Sequence, residues 1–208
     1  MSIEIFNLGP LETNCYVVYK ENSAIVVDPG GDPSPVLTFL RNNNLVLEAI
    51  CLTHLHFDHM YGVADLHKAT NAPTFMPSDD AFMLETQYSR GGMWGFPSVK
   101  PFEAEHLVPG EHTLGALHFV VIHTPGHSPG SMSLYFPDLK LVCTGDTLFY
   151  RSVGRSDLPG GDGDLLAKSI REKLFTLPDE IIAYPGHGPE ARIGDEKNNN
   201  PYCGLFVR

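Results

Sequence analysis

Short apolar runs broken by turn-forming residues dominate the first part of the chain. Residues 3–8, 14–19 and 24–27 are apolar or β-branched, and Gly9-Pro10 and Glu21-Asn22-Ser23 separate them. Strand-length runs divided by such breakers predict a β-meander. Asp28-Pro29-Gly30-Gly31-Asp32 then makes a turn, and over 35–43 Val36, Leu37, Phe39 and Leu40 recur at the spacing of one helix face. Beyond that helix the pattern predicts alternating strands and helices.

Four of the later apolar runs end directly in histidine or aspartate. Residues 47–52 lead into Thr53-His54-Leu55-His56-Phe57-Asp58-His59, and 117–122 into His123-Thr124-Pro125-Gly126-His127. Residues 141–143 lead into Thr144-Gly145-Asp146, and 181–184 into Pro185-Gly186-His187-Gly188. In a layered α/β protein, rigid strands aim the loops at one sheet edge toward a common place, so four such loops can build one site.

The residue types in those loops suit metal. Four of the six positions from His54 to His59 are imidazole or carboxylate. A regular helix would set His54 and His56 about 200° apart, so a loop wrapped around a cation fits better. Imidazole and carboxylate are ligands that zinc, iron and manganese accept, and two ions about 3.5–4 Å apart need more ligands than one. A single surface histidine would carry no such weight, but five of the ten histidines, leaving aside His123 at a strand end, fall in these loops beside Gly and Pro turns. Burying them unpaired would be costly.

Bulk properties narrow the rest. With 208 residues, 42% of them hydrophobic, the chain can bury a substantial core, and no linker-like stretch or fixed-period repeat divides it, so one domain over 1–208 is expected. Lys and Arg number 14 against 25 Asp and Glu, a formal charge of -11 that repels phosphate backbones and argues against a nucleic-acid partner. The first residues show no basic segment leading into an apolar one, and no run approaches membrane-spanning length, so no membrane partner and a cytoplasmic location are expected. Cys15, Cys51, Cys143 and Cys203 are far apart and read as small buried hydrophobes rather than a disulfide framework or a Cys-only zinc site.

Thr-His-x-His-x-Asp-His at 53–59, His-Thr-Pro-Gly-His at 123–127, Thr-Gly-Asp-Thr at 144–147 and Pro-Gly-His-Gly at 185–188, in that order, resemble the metallo-β-lactamase superfamily. Its glyoxalase II-like branch, in the short single-domain bacterial form, looks closest. The resemblance extends from Thr13-Asn14-Cys15-Tyr16 to Asn200-Pro201-Tyr202. It implies an α/β fold, a four-layer αββα sandwich of two mixed β-sheets with helices on the outer faces and metals at one edge. It further implies a first metal on His54, His56 and His127, a second on Asp58, His59 and His187, and Asp146 bridging both. The two divalent ions expected are zinc, with iron or manganese as alternatives. His123 matches no family ligand and is read as closing its strand or packing behind the site, while His67, His106, His112 and His118 carry no expectation of function.

Metals that share a water lower its pKa toward neutrality. The resemblance therefore implies attack of a metal-bridging hydroxide on an acyl carbon, with Asp58 as the catalytic residue that holds the second metal and orients the hydroxide's proton. A thiol with pKa about 8.5 departs without a general acid. Amide or phosphodiester cleavage wants a proton donor that the sequence does not identify. The expectation is a thioesterase of hydroxyacylglutathione hydrolase type, cleaving S-2-hydroxyacyl-glutathione or a related small-molecule thioester. Arg155 stands where the family has a basic, substrate-binding residue that contacts the thiol carrier's carboxylate, which a guanidinium could grip in bidentate fashion. Asp157 and Pro189 stand where tyrosines are expected, and the family's C-terminal helical region has no counterpart before Arg208, so the carrier need not be glutathione. The glycine-rich segment 88–96, with Trp94, reads equally as a substrate-covering lid or as a surface loop.

A persulfide dioxygenase of the same superfamily, with one iron on His56, His127 and Asp146, is the alternative, because Gly154-Arg155-Ser156-Asp157 resembles a stretch found in that branch too. A β-lactamase ranks lower for want of a signal peptide, and a nuclease lower still in so acidic a chain.

Overall fold

The computed structural model describes residues 2–92 and 95–204. Strands β1 (Ser2–Leu8), β2 (Thr13–Lys20) and β3 (Ser23–Val27) pair antiparallel as the expected meander. Helix α1 (Ser34–Asn42) follows, with Pro35 in its first turn, where a missing N–H costs nothing. Strand β4 (Val46–Cys51) lies parallel to β3. After helix α2 (Val63–Thr70), strands β5 (Thr74–Met76) and β6 (Glu105–His106) extend the sheet in parallel, to the order β1-β2-β3-β4-β5-β6. Between β5 and β6 come a 3-10 stretch, Ser78–Glu85, and the single helical turn α3 (Gln87–Arg90).

The alternation expected beyond the first helix holds only this far. Strands β7 (Gly110–Leu114), β8 (Leu117–His123), β9 (Met132–Phe136) and β10 (Leu141–Gly145) follow one another antiparallel with no α-helix between them. The links at 115–116 and 137–140 are too short to hold one. A small separate hairpin, β11 (Leu148–Phe149) and β12 (Ser152–Val153), leads to helix α4 (Gly163–Glu172), whose N-cap Asp162 accepts from Leu165 N at 2.9 Å. Strand β13 (Ile182–Pro185) then pairs parallel to β10, and β14 (Ala191–Arg192) and helix α5 (Ile193–Asn199) complete the order β14-β13-β10-β9-β8-β7.

Strand alternation sorts the apolar residues into three seams. From β2, β3 and β4, Tyr16, Val18, Ile25, Val27, Ala49 and Cys51 face Leu117, Phe119, Val121, Leu134, Phe136 and Cys143 of the second sheet. Their neighbours Cys15, Val17, Ala24, Val26 and Ile50 point the other way, onto Val36 and Leu40 of α1 and Val63 and Leu66 of α2. On the far side of the second sheet, Val142 and Ala183 meet Leu166 and Ile170 of α4 and Ile193 of α5. Strands covered on both faces must be apolar at successive positions, which is why their sequences read as unbroken hydrophobic runs. The result is the expected four-layer αββα sandwich of two mixed sheets.

Because β9 opposes both β8 and β10, and β13 runs with β10, the carboxyl ends of β8, β10 and β13 all leave the second sheet in one direction. The loops after them meet the loop after β4.

Candidate metal centre

The segment after β4 is a loop closed by one 3-10 turn, Phe57–His59, with His54, His56, Asp58 and His59 all buried. Two triads form there. His54, His56 and His127 present ligand atoms within 4.8 Å of one another, and so do Asp58, His59 and His187. In the first, His56 Nδ1 is 2.8 Å and His54 Nε2 is 3.2 Å from His127 Nε2. Nitrogens about 2.0–2.1 Å from one tetrahedral zinc would stand about 3.3–3.4 Å apart. In the second, His187 Nε2 is 3.1 Å and His59 Nε2 is 3.5 Å from Asp58 Oδ2. Asp146 lies between the triads, with Oδ1 3.5 Å from His59 Nε2 and Oδ2 3.6 Å from His127 Nε2 and 3.8 Å from His187 Nε2.

Two features fit this set to cations. His59 Nε2 and Asp146 Oδ1 are buried with no hydrogen-bond partner among the described residues, and an unpaired buried polar atom is expensive unless something else meets it. Moreover, outer nitrogens are already engaged: His127 Nδ1 donates to the Arg155 carbonyl at 2.7 Å, and His59 Nδ1 donates to Asp28 Oδ2 at 2.9 Å. Each bond fixes the ring so that Nε2 faces the site, as in metal-binding histidines.

The electrostatics agree. Burial, reinforced by neighbouring imidazoles, holds His54 well below the usual histidine range and His56 at about 3, so both rings are neutral. Burial would likewise depress His59, but Asp58, Asp28 and Asp146 outweigh it and raise the ring well above its ordinary value. For Asp58 and Asp146 burial pushes upward, but the surrounding histidines, His59 foremost, leave both carboxyls below the usual range. Neutral imidazoles at His54 and His56 and ionised carboxyls at Asp58 and Asp146 are the forms of these groups that can ligate a cation.

A family model described as the metallo-beta-lactamase superfamily matches residues 8–187. The chain belongs to the metallo-beta-lactamase superfamily. Among its relatives there, a probable metallo-hydrolase, YqgX, of Bacillus subtilis (strain 168) is 35% identical over 202 residues, covering 96% of each chain. The hydroxyacylglutathione hydrolase GloC of Haemophilus influenzae is 32% identical, covering 97% of this chain and 98% of its own. A solved structure described as the BLEG-1 B3 metallo-beta-lactamase has 38% identity and a TM-score of 0.91, covering 97% of this chain and 99% of that one. TTHA1623 in a di-iron-bound form has 38% identity and a TM-score of 0.87, with coverage of 96% and 99%. Family membership and the His/Asp groups identify a metallo-hydrolase.

In this superfamily member a cavity of about 400 Å³ opens above the triads, and Leu11, Phe57, Phe96, Leu158, Tyr88 and Arg155 form its walls. Arg155 lines the cavity, and its guanidinium is forked onto Asp157, with Nε and Nη2 each 2.8 Å from a carboxylate oxygen. The carboxylate standing where a tyrosine was expected holds the arginine. Segment 88–96 contributes Tyr88 and Phe96, whose ring centroid is 5.4 Å from that of Phe57. Trp94, which prompted the lid reading, lies outside the described residues.

His123 closes β8 and directs Nε2 to the Pro129 carbonyl at 2.9 Å, apart from both triads. His67 and His112 bond to backbone carbonyls, His106 is exposed and His118 half-buried.

Sequence reasoning missed several partners. Asp28 follows β3 with φ 51° and accepts from Thr53 N at 2.8 Å, from Thr53 Oγ1 at 2.6 Å and from His59 Nδ1. It also falls within 4.8 Å of ligand atoms of His54 and His59, but its oxygens are already engaged by Thr53 and His59, so it orients the His59 ring. The signal was present: β3 too is an apolar run ending in an acid. Thr13 Oγ1 donates to Asp58 Oδ2 at 3.1 Å, and Asn14 Nδ2 ties down the His187 loop through the Pro185 and Gly188 carbonyls, both at 2.9 Å. Gly186 allows that loop to close, since any side chain there would collide with the Asp146 carboxylate and the His59 ring.

Proposed function

We propose that this chain is a thioesterase of glyoxalase II type, hydrolysing S-2-hydroxyacyl-glutathione or a related small thioester with two divalent ions, zinc first. In this reading His54, His56 and His127 would hold one ion and Asp58, His59 and His187 the other, with Asp146 available to both. Such ions, when bound, supply Lewis acidity and bring the pKa of a water toward neutrality. The chain's own contributions are placement and polarity. Asp58, held by the Thr13 hydroxyl, is the acceptor best placed to hold a nucleophile's proton at its carboxylate. Phe57, Phe96, Leu11 and Leu158 exclude water from the acyl chain above it.

The observation that carries the choice of bond is the composition of the cavity wall. Outside the two triads and Asp146, the described residues lining it offer neither imidazole nor carboxylic acid, only the Tyr88 phenol and the Arg155 guanidinium as protic groups. A thiolate needs no proton to depart, whereas an amine or alkoxide does. The similarity to GloC supports the same choice. The four buried free thiols accord with a reducing cytoplasm, and no helix among the described residues is long and apolar enough to cross a membrane.

The deciding experiment measures metal content by elemental mass spectrometry alongside anaerobic hydrolysis of S-D-lactoylglutathione, with nitrocefin as the β-lactam control. Two ions per chain and anaerobic thioester turnover are expected. One iron per chain with oxygen consumption and no anaerobic turnover would replace this reading with the persulfide dioxygenase, and nitrocefin turnover alone would replace it with a lactamase.

A further inference from the structure

Asp80 is fully buried in the first turn of the 3-10 stretch Ser78–Glu85, yet its carboxylate bonds to nothing on its own turn. Its Oδ2 accepts from Leu55 N at 3.2 Å and from Ser128 Oγ at 2.7 Å, and its Oδ1 accepts from Gly130 N at 2.6 Å. Leu55 lies between His54 and His56, and Ser128 follows His127. One carboxylate therefore ties together the two loops that assemble the all-histidine triad. None of its bonds reaches Asp58, His59 or His187.

The contact is built, not incidental. A Cβ on Gly130 would stand 2.8 Å from the Asp80 backbone N, carboxyl carbon and Oδ1, so only glycine lets that amide approach. Ser128 is braced in turn, its N donating to Ser131 Oγ at 3.1 Å and the two hydroxyls lying 2.7 Å apart. The need for such a strut follows from topology. His54 and His56 hang from β4 of the first sheet and His127 from the turn between β8 and β9 of the second, and sheet hydrogen bonds do not cross between layers. Besides Asp80, the backbone bond from Met132 N to Thr53 O, 2.8 Å, spans the gap nearby.

We infer that Asp80 is a positioning residue for the His54, His56 and His127 triad, setting the spacing of its nitrogens for one of the two ions and leaving the other ion's triad untouched. The inference rests on the ligand reading above. Partners of this outer kind typically change metal affinity by about 10- to 100-fold.

The test is stepwise titration of metal-free protein with zinc against a chromophoric chelator. Wild type is compared with Asp80→Asn, Gly130→Ala and the milder Ser128→Ala, and His127→Ala and His187→Ala mark loss of each triad. The expected result is that Asp80→Asn and Gly130→Ala keep their circular dichroism spectrum and weaken one zinc by at least about tenfold, in the manner of His127→Ala. The zinc lost in His187→Ala should keep its affinity. Parallel weakening of both ions, or of neither, would overturn the inference while leaving the ligand reading intact. Wild type that takes up no zinc would overturn both. Should Asp80→Asn fail to fold, Ser128→Ala, which removes one bond of the three, must still show the selective loss.

Discussion

At the level of single residues, the chemistry concentrates on groups whose surroundings contradict their ordinary behaviour. Asp58→Ala removes both a candidate ligand and the proton acceptor. Thioester kcat/KM is expected to fall by about 10²- to 10⁴-fold with the circular dichroism spectrum unchanged; unaltered turnover would exclude the role. Asp157→Ala should free the Arg155 guanidinium and lower KM for a carboxylate-bearing thioester severalfold, readable in steady-state kinetics, whereas an unchanged KM would detach Arg155 from the substrate. The depressed histidines give the metal-free protein a pH-dependent stability. His54 and His56 titrate near 6.5 when unfolded but well below that when folded, His56 at about 3. Their contribution is complete above about 6.5 and is lost as the pH falls toward the folded values. His59 and His187 are raised, so their contribution is complete below about 6.5 and declines only at higher pH. Between about 6.5 and 4.5 the two buried neutral rings therefore set the slope. Melting temperature followed by calorimetry after metal removal should drop across that window, and a flat profile would contradict the burial argument.

Among the elements, α4 and its cap also hold the His127 loop. Its cap residue Asp162 donates its backbone N to the Gly126 carbonyl at 2.8 Å, and Ser169 Oγ donates to the Pro125 carbonyl at 2.7 Å. Asp162→Ala removes the cap bond to Leu165 N and is expected to cost about 1 kcal/mol, seen as a lower urea midpoint at constant slope. The meander β1 to β3 and helix α1 were legible because each keeps a clean period over its whole length. Asp28 was legible in principle, since it obeys the strand-end rule that exposed the other site residues. The runs that became β8 and β10 were legible as strands, but the antiparallel order of β7 to β10 without intervening helices was not, because the apolar pattern of each run does not say how the links between them are folded. The stretch carrying Asp80 escaped notice for another reason. An acid in a polar turn looks solvated until the two loops that bury it are in place.

For the molecule as a whole, a cation bound between the two sheets should act as a clasp, because its ligands come from both layers and are assembled only in the folded state. At ligand concentrations about 100 times Kd such binding adds about 2.7 kcal/mol, or about 5–10 °C for a protein of this size. Calorimetry with and without chelator should show a loss of that order, and equal melting curves would argue against bound metal. The strand runs and the candidate ligands were open to inference from residue order, and the four-layer sandwich from the family resemblance that those motifs carry. Double-sided burial demands unbroken apolar runs, and metal ligation demands a narrow set of side chains at strand ends, so both leave local marks. Tertiary structure was required for partners that aim those side chains from other positions: Thr13 on Asp58 across 45 residues, Asp80 on Ser128 across 48. Contacts at such separations arise from the packing of one sheet on another. No local pattern records them, because each partner needs only to be polar, small and in the right place once the layers have closed.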